Sequence, residues 1–223
     1  MPIFVSCTMK EESIHLKRNQ SLGEEIANAV SHGVGFLAAV AVTPILIVTA
    51  LPHGAAAVVG VSVFGATMMI LYLASTLYHA FPHSRTKRVF NIFDHGAIFL
   101  LIAGTYTPFC LSVLGGAWGW SLFGVVWGLA VLGVVAKSIG GARSGKLSTG
   151  LYLAMGWLAV VAAKPLWLNL SSQGLFWLVA GGVMYSAGVL FFMNDHRIRY
   201  SHFIWHLFVL AGTACHVVAV LYS

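Results

Sequence analysis

Seven long apolar runs, each close to the length of a membrane-spanning helix, constrain the fold of this chain more than any other feature. They cover roughly residues 26–50, 56–81, 90–113, 118–137, 148–168, 174–193 and 202–221. A helix needs about 20 mostly apolar residues to cross the hydrocarbon core of a bilayer. Only 8% of the residues are charged, against roughly 25% in an average soluble domain. The sequence therefore predicts an all-α integral membrane protein with a seven-helix transmembrane bundle.

The basic residues predict how these spans are oriented. Of the 12 lysines and arginines, only Lys164 falls outside the N-terminal segment and the connections between spans 2–3, 4–5 and 6–7. Because basic residues collect in the cytoplasmic loops of membrane proteins, we expect a cytoplasmic N-terminus and an outside C-terminus. Residues 1–23 lack the apolar core of a signal peptide. They are expected to form a cytoplasmic tail before a seven-transmembrane domain over residues 24–223.

Polar residues inside the predicted spans are the main candidates for function, because ionisable groups in a bilayer are costly. Asp94 is the only acidic residue within a span and lies about one turn from the cytoplasmic end of the third. His79 ends the second span, and His202 and His206 begin the seventh, so all four residues share one depth. Ser75 precedes His79 by one helical turn, as His202 precedes His206, and this spacing places both members of each pair on one helix face.

Three imidazoles and a carboxylate at one depth favour a metal site. His79, His202 and His206 would be the ligands, with water in the open fourth position that is typical of catalytic zinc. Asp94 would hydrogen-bond this water or act as a general base, and the Ser75 hydroxyl would either support the metal ligands from outside or orient a substrate. Neutral imidazoles suit zinc better than magnesium or calcium, although iron and nickel also accept them. Two alternatives stay open: an Asp–His hydrogen-bond network without metal, and a haem with two axial histidines.

Other polar and small residues give further expectations. Glu25, Asn28 and His32 form a polar stripe on the first span that could line the same cavity, but capping and headgroup contact by Glu24 and Glu25 fits equally well. His216 lies deeper in the seventh span and is expected to make an interhelical hydrogen bond. Small-residue pairs spaced four apart are expected to permit close helix contact; they are Gly124 with Gly128 and Gly182 with Ser186.

Several segments together resemble the bacterial hemolysin III family. They are residues 24–33 (EEIANAVSHG), 75–81 (STLYHAF), Asp94-His95, 104–108 (GTYTP) and 201–206 (SHFIWH). That family is similar to the progestin and adiponectin receptors and, more distantly, to the alkaline ceramidases. The resemblance implies a zinc ion on His79, His202 and His206, a water held between zinc and Asp94, and Ser75 nearby. It also implies a multi-pass protein of the bacterial plasma membrane.

The residues and the resemblance lead to three hypotheses for function. The first is a zinc-dependent intramembrane hydrolase of lipid amides or esters, with membrane lipids as partners and a free fatty acid as product; the ceramidase relatives imply this reaction. The second is a receptor-like or membrane-homeostasis protein whose zinc is structural, with Asp94 as a fourth ligand. The third is a cytolysin or channel. The absence of a polar stripe through the full membrane thickness argues against this hypothesis. No nucleic-acid partner is expected, and the oligomeric state stays open.

Overall fold

The computed structural model describes residues 20–82, 85–140 and 145–223, and within these ranges it contains helices and no strand. Most of the predicted cytoplasmic tail lies outside them. The described ranges contain eight α-helices: α1 Leu22–Ala50, α2 Ala55–Ala80, α3 Arg85–Pro108, α4 Gly116–Gly140, α5 Gly145–Gly156, α6 Ala163–Asn169, α7 Ser172–Met193 and α8 Ser201–Leu221. Three shorter segments extend or join them: 3-10 turns at Leu51–His53 and Trp157–Ala162, and a π-helical stretch at Phe109–Leu114.

Among the residues that the structure describes, seven helical stretches are long and apolar enough to cross a membrane, which confirms the predicted fold class. They are Leu22–His53, Ala55–Ala80, Arg85–Leu114, Gly116–Ile139, Leu147–Asn169, Ser172–Met193 and Ser201–Leu221. The fifth consists of α5, the following 3-10 turn and α6. The third begins five residues earlier than predicted, because α3 continues through a polar first turn that hydropathy does not detect. The orientation of the spans remains a prediction.

The start of α1 is fixed by a capping box that also reaches α8. The Ser21 backbone N–H donates to Oε2 of Glu24 at 2.9 Å, and Ser21 Oγ accepts from the Glu24 backbone N–H at 3.4 Å. This reciprocal pair satisfies two donors that a helix N-terminus leaves free. The other carboxylate oxygen of Glu24 accepts from the backbone N–H of Tyr200 at 2.8 Å. Glu24 therefore ties the beginning of α1 to the residue just before α8, which confirms its capping role.

The helices pack so that α1 contacts both α2 and α8, α2 also contacts α3, α3 contacts α4, and α7 contacts α8. The largest side chains buried in this core include Phe64, Tyr72 and Phe99. Many large apolar side chains face outward, Leu37 of α1 and Phe176 of α7 among them. This distribution fits a protein surrounded by lipid, where the outer surface is apolar and backbone polar groups are satisfied within helices.

In the described part of the chain, the glycines of the predicted small-residue pairs make no close contact with another helix, although Ser186 Oγ accepts from Nε1 of Trp157 at 3.0 Å. Among the described residues, no heavy atom lies within 4 Å of the place where a Cβ would stand at Gly124, Gly128 or Gly182. A tight approach occurs instead between α3 and α2, where a Cβ on Gly104 would overlap the side chain of Thr67. The prediction was wrong because four-residue spacing identifies small residues on one face without saying whether that face meets another helix.

Truncating the core is expected to destabilise the bundle much more than truncating its outer surface. Phe64 is completely buried, whereas Phe176 is 63% exposed. Phe64→Ala should lower the free energy of unfolding by about 3–5 kcal/mol, because it removes a whole buried ring and leaves a cavity. Phe176→Ala, which removes the same atoms from the outer surface, should change it by no more than about 0.5 kcal/mol. Thermal unfolding in detergent measures both, and equal losses would contradict this core.

Candidate metal centre

Three histidines meet in the interior near one end of the bundle. His79 comes from the last turn of α2, and His202 and His206 come from the first two turns of α8. One ring nitrogen from each lies within 4.8 Å of the others. All three residues are buried, with exposed fractions of 4%, 8% and 1%. This group could hold a metal ion, because one ion can accept a nitrogen from each of three imidazoles at this spacing.

The first helix supplies none of these three histidines but orients the ring of His79. Nδ1 of His79 lies 2.8 Å from Oε2 of Glu25, and Oε1 of the same carboxylate accepts from Nζ of Lys87 at 2.8 Å. Nδ2 of Asn28 lies 3.4 Å from His79 Nδ1 and donates to Oε1 of Gln20 at 2.8 Å. The second ring nitrogen, Nε2, is buried without a hydrogen-bond partner among the described residues. A buried, unpaired nitrogen of this kind is available to a ligand.

The first helix orients His206 as well. Its Nδ1 lies 3.1 Å from Oγ of Ser31 and 3.3 Å from the carbonyl oxygen of Asn28. Because the Ser31 hydroxyl donates its proton to that carbonyl at 2.9 Å, both oxygens act as acceptors for Nδ1–H, and Nε2 of His206 keeps its lone pair. The ring of His32 stacks on His206 with centroids 3.6 Å apart and planes 6° apart. This stack limits rotation of the His206 ring.

His202 is accompanied by a carboxylate that sequence analysis missed. Oδ2 of Asp195, in the turn between α7 and α8, lies 3.4 Å from Nδ1 of His202. Asp195 lies outside the apolar spans, and no helical spacing relates a turn residue to a helix face. The contact between Asp195 and His202 does not meet hydrogen-bond geometry, so among the described residues only His79 and His206 of the cluster have an oxygen acceptor hydrogen-bonded at Nδ1, a common arrangement around metal-binding imidazoles.

An apolar cavity of about 380 Å³ lies beside the cluster. Asp94, His202 and His206 contribute to its wall, as do Leu166 and His216. Since the lining extends along α8 from His202 to His216, the cavity follows about 21 Å of helix. It therefore connects the depth of the histidine cluster with the middle and far side of the bundle.

The predicted catalytic residues lie around the cluster, and their chemical roles stay predictions. Asp94 is buried in the cavity wall with His202 and His206. Ser75 is completely buried one turn before His79, and its Oγ has no hydrogen-bond partner among the described residues. Oδ2 of Asp94 lies 3.6 Å from Nδ1 of the neighbouring His95.

The remaining polar predictions are settled by individual contacts. Nε2 of His216 lies 3.2 Å from the carbonyl oxygen of Leu178 in α7, which confirms the expected interhelical hydrogen bond. The stripe on α1 divides its roles, because Glu24 caps the helix whereas Glu25 and Asn28 contact His79. Of the three stripe residues, His32 lines the cavity as predicted, whereas Glu25 and Asn28 do not.

The donor set fits a bound metal ion. Three buried imidazoles converge, Nε2 of His79 is unpaired, and acceptors stand at Nδ1 of both His79 and His206. Imidazole nitrogen is a favoured ligand of zinc, copper, iron and nickel, whereas magnesium and calcium prefer oxygen. The cluster therefore fits a transition metal, and three protein ligands with one open position are typical of catalytic zinc sites.

Known proteins match the chain over most of its length. A family model described as "Haemolysin-III related" matches residues 20–217. Hemolysin-3 of Bacillus cereus is 46% identical over 207 residues, which is 92% of this chain and 94% of that protein. The Hemolysin-3 homolog of Bacillus subtilis (strain 168) is 45% identical over 203 residues, 91% and 95% of the two chains. The human monocyte to macrophage differentiation factor is 28% identical over 167 residues, 71% and 67%. No solved structure matches.

Proposed function

Since the chain belongs to the haemolysin-III related family, we propose that it is a zinc-dependent hydrolase that cleaves an amide or ester bond of a membrane lipid. Membership confirms the resemblance read from the sequence, and the protein is a multi-pass protein of the bacterial plasma membrane. One observation carries the proposal. Two histidines of the buried cluster form the wall of an apolar cavity together with the carboxylate of Asp94.

The proposed reaction assigns a role to each residue of the site. His79, His202 and His206 hold the zinc ion. When bound, zinc supplies a Lewis acid that polarises a carbonyl and acidifies water. Asp94 accepts a proton from the attacking water and returns it to the leaving amine or alcohol. The acyl carbon gains the water oxygen and loses its bond to nitrogen or oxygen, so the products are a fatty acid and an amine or alcohol.

The cavity supports a lipid substrate because most of the side chains that line it are apolar, and the hydroxyls of two lining tyrosines are used within the protein. The single hydroxyl proton of Tyr106 lies between the carbonyl oxygens of Met155 and Gly156, which are 3.0 and 2.7 Å from its oxygen, and the hydroxyl of Tyr152 donates to the carbonyl oxygen of His95. What remains for a ligand is a long, mostly apolar wall with Asp94, His202 and His206 at one end, while His216 farther along contacts the carbonyl oxygen of Leu178. An acyl chain fits the wall, and its carbonyl would lie at the histidine end, near the lipid headgroup region. Hydrolysis at that depth suits a bond adjacent to a headgroup.

A receptor-like or membrane-homeostasis role with a structural zinc is the second candidate. It is favoured by the way the cluster links three helices, since α1 contacts His79 of α2 through Glu25 and His206 of α8 through Ser31. A metal at their junction would stabilise the bundle with no chemistry at all. The two functions differ in the role of Asp94, which would be a ligand in a closed structural site and a base in an open catalytic one.

Release of fatty acid from defined lipids tests the hydrolase. The purified, zinc-loaded protein is incubated in mixed micelles with ceramides, other N-acyl amines, lysophospholipids and phospholipids, and free fatty acid is measured by mass spectrometry. We expect release from at least one class, loss of that release after chelation, and recovery when zinc is restored. If fully zinc-loaded protein turns over no lipid in this panel, the hydrolase is wrong and the structural zinc becomes the better account.

A further inference from the structure

We infer that Glu25, held in place by Lys87, is a positioning residue for the metal. Its carboxylate fixes the proton of His79 on Nδ1, which leaves the lone pair of Nε2 directed at the ion. The inference rests on the metal of the proposed function but not on the hydrolytic reaction. Glu25 comes from α1, a helix that supplies none of the three imidazole ligands.

The contacts around His79 determine which of its nitrogens carries the proton. An ionised carboxylate can only accept hydrogen bonds, so the 2.8 Å contact between Glu25 Oε2 and His79 Nδ1 requires a proton on Nδ1. The amide nitrogen of Asn28 is also near Nδ1, but at 3.4 Å, and it already donates to Gln20 at 2.8 Å. The carboxylate contact is the shorter one and decides the tautomer. Nε2, buried and without a partner in the described parts of the chain, is then the ligand atom.

Lys87 keeps the carboxylate of Glu25 in this position. Its ammonium donates to Glu25 Oε1 at 2.8 Å and to the carbonyl oxygen of Phe81 at 3.4 Å, and it lies 4.8 Å from the centroid of the Tyr78 ring. The side chains of Glu25 and Lys87 are only 15% and 9% exposed. A buried carboxylate is strongly destabilised when its positive partner is lost. Lys87 therefore acts on His79 through Glu25, because one carboxylate oxygen of Glu25 contacts His79 and the other accepts from Lys87.

A carboxylate on the far nitrogen of a metal-bound imidazole raises the basicity of the ligand and restricts its rotation. Losing such a partner typically weakens metal binding about 10–100-fold. An ion pair that only joined α1 to α3 would not change metal affinity in this way. Metal affinity is thus a readout that separates positioning from simple helix packing.

The test measures the zinc dissociation constant of the full-length protein in detergent by competition with a chelator. Glu25→Gln, which preserves size but not charge, should weaken binding about 10–100-fold. Lys87→Met should weaken it less, and the double variant should bind no more weakly than Glu25→Gln alone, since residues that act through one another are not additive. Arg88→Met is the matched control, because Arg88 is the exposed neighbour of Lys87; it should leave the constant unchanged.

The melting temperature of the metal-free variants and the visible spectrum of the Co²⁺-loaded proteins complete the test. Positioning predicts an altered Co²⁺ spectrum in Glu25→Gln. Wild-type affinity and spectrum in Glu25→Gln, with or without a lower melting temperature, would overturn the positioning role and leave the hydrolase untouched. Failure of the wild-type protein to bind zinc would overturn both. Zinc binding that weakens as expected without any lipid turnover would support the positioning role and contradict the hydrolase.

Discussion

Replacing all three clustered histidines by alanine is expected to abolish metal binding. The wild-type protein, purified in detergent and reconstituted with zinc, should retain about one zinc ion per chain, and the His79→Ala, His202→Ala, His206→Ala variant should retain none. The three side chains are the only group of this kind in the described ranges whose ligand atoms lie within 4.8 Å of one another. Elemental mass spectrometry of the protein after gel filtration gives the ratio of metal to chain directly.

A matched control separates loss of the site from loss of histidine in general. His53 and His196 are both exposed and lie beyond the C-terminal ends of α1 and α7, so the His53→Ala, His196→Ala variant should keep its zinc. Circular dichroism must show that the triple variant is still helical. Zinc retained by a folded triple variant would mean that the metal binds elsewhere. If the wild-type protein holds no metal after reconstitution, the cluster is a hydrogen-bond network between helices and no metal site.

The spans could be predicted from the sequence because crossing a bilayer depends on length and apolar character, both of which are local properties. The limits of that approach show at the fifth span, where a 3-10 segment at Trp157–Ala162 interrupts the α-helix. All six residues there are apolar, so hydropathy does not register the change. The contacts between helices could not be predicted from hydropathy either. The close approach of Gly104 to Thr67, for example, depends on how α2 and α3 are rotated about their axes.

The histidine cluster could be predicted because helical spacing and topology together fix its geometry. His202 and His206 share a face by spacing alone, and alternation of the spans brings His79 to the same depth. The partners of these rings could not be predicted in this way. Glu24 and Glu25 are adjacent and chemically identical, but they point about 100° apart around the helix, so one caps α1 and the other contacts His79. Only the packed arrangement of α1 against α2 distinguishes them.

Replacing Asp94 by asparagine is expected to separate metal binding from catalysis. Asparagine has nearly the same shape as aspartate but cannot accept a proton at neutral pH, and loss of a general base typically lowers a rate about 10²–10⁴-fold. Asp94→Asn should therefore bind about one zinc per chain with an unchanged dissociation constant, while fatty acid release from the best lipid of the panel falls by that factor. Rates are measured by mass spectrometry on proteins with equal zinc content.

Thr105→Val is the control for this experiment, because Thr105 belongs to the same helix and lines the same cavity, and its hydroxyl donates only to the carbonyl oxygen of Leu101. It should keep both zinc and most of the activity, so that a loss confined to Asp94→Asn is due to the carboxylate. If Asp94→Asn instead weakens zinc binding strongly, Asp94 is a ligand and the site is closed. The cavity would then hold a lipid beside a structural metal, and the receptor-like function would account for the same geometry.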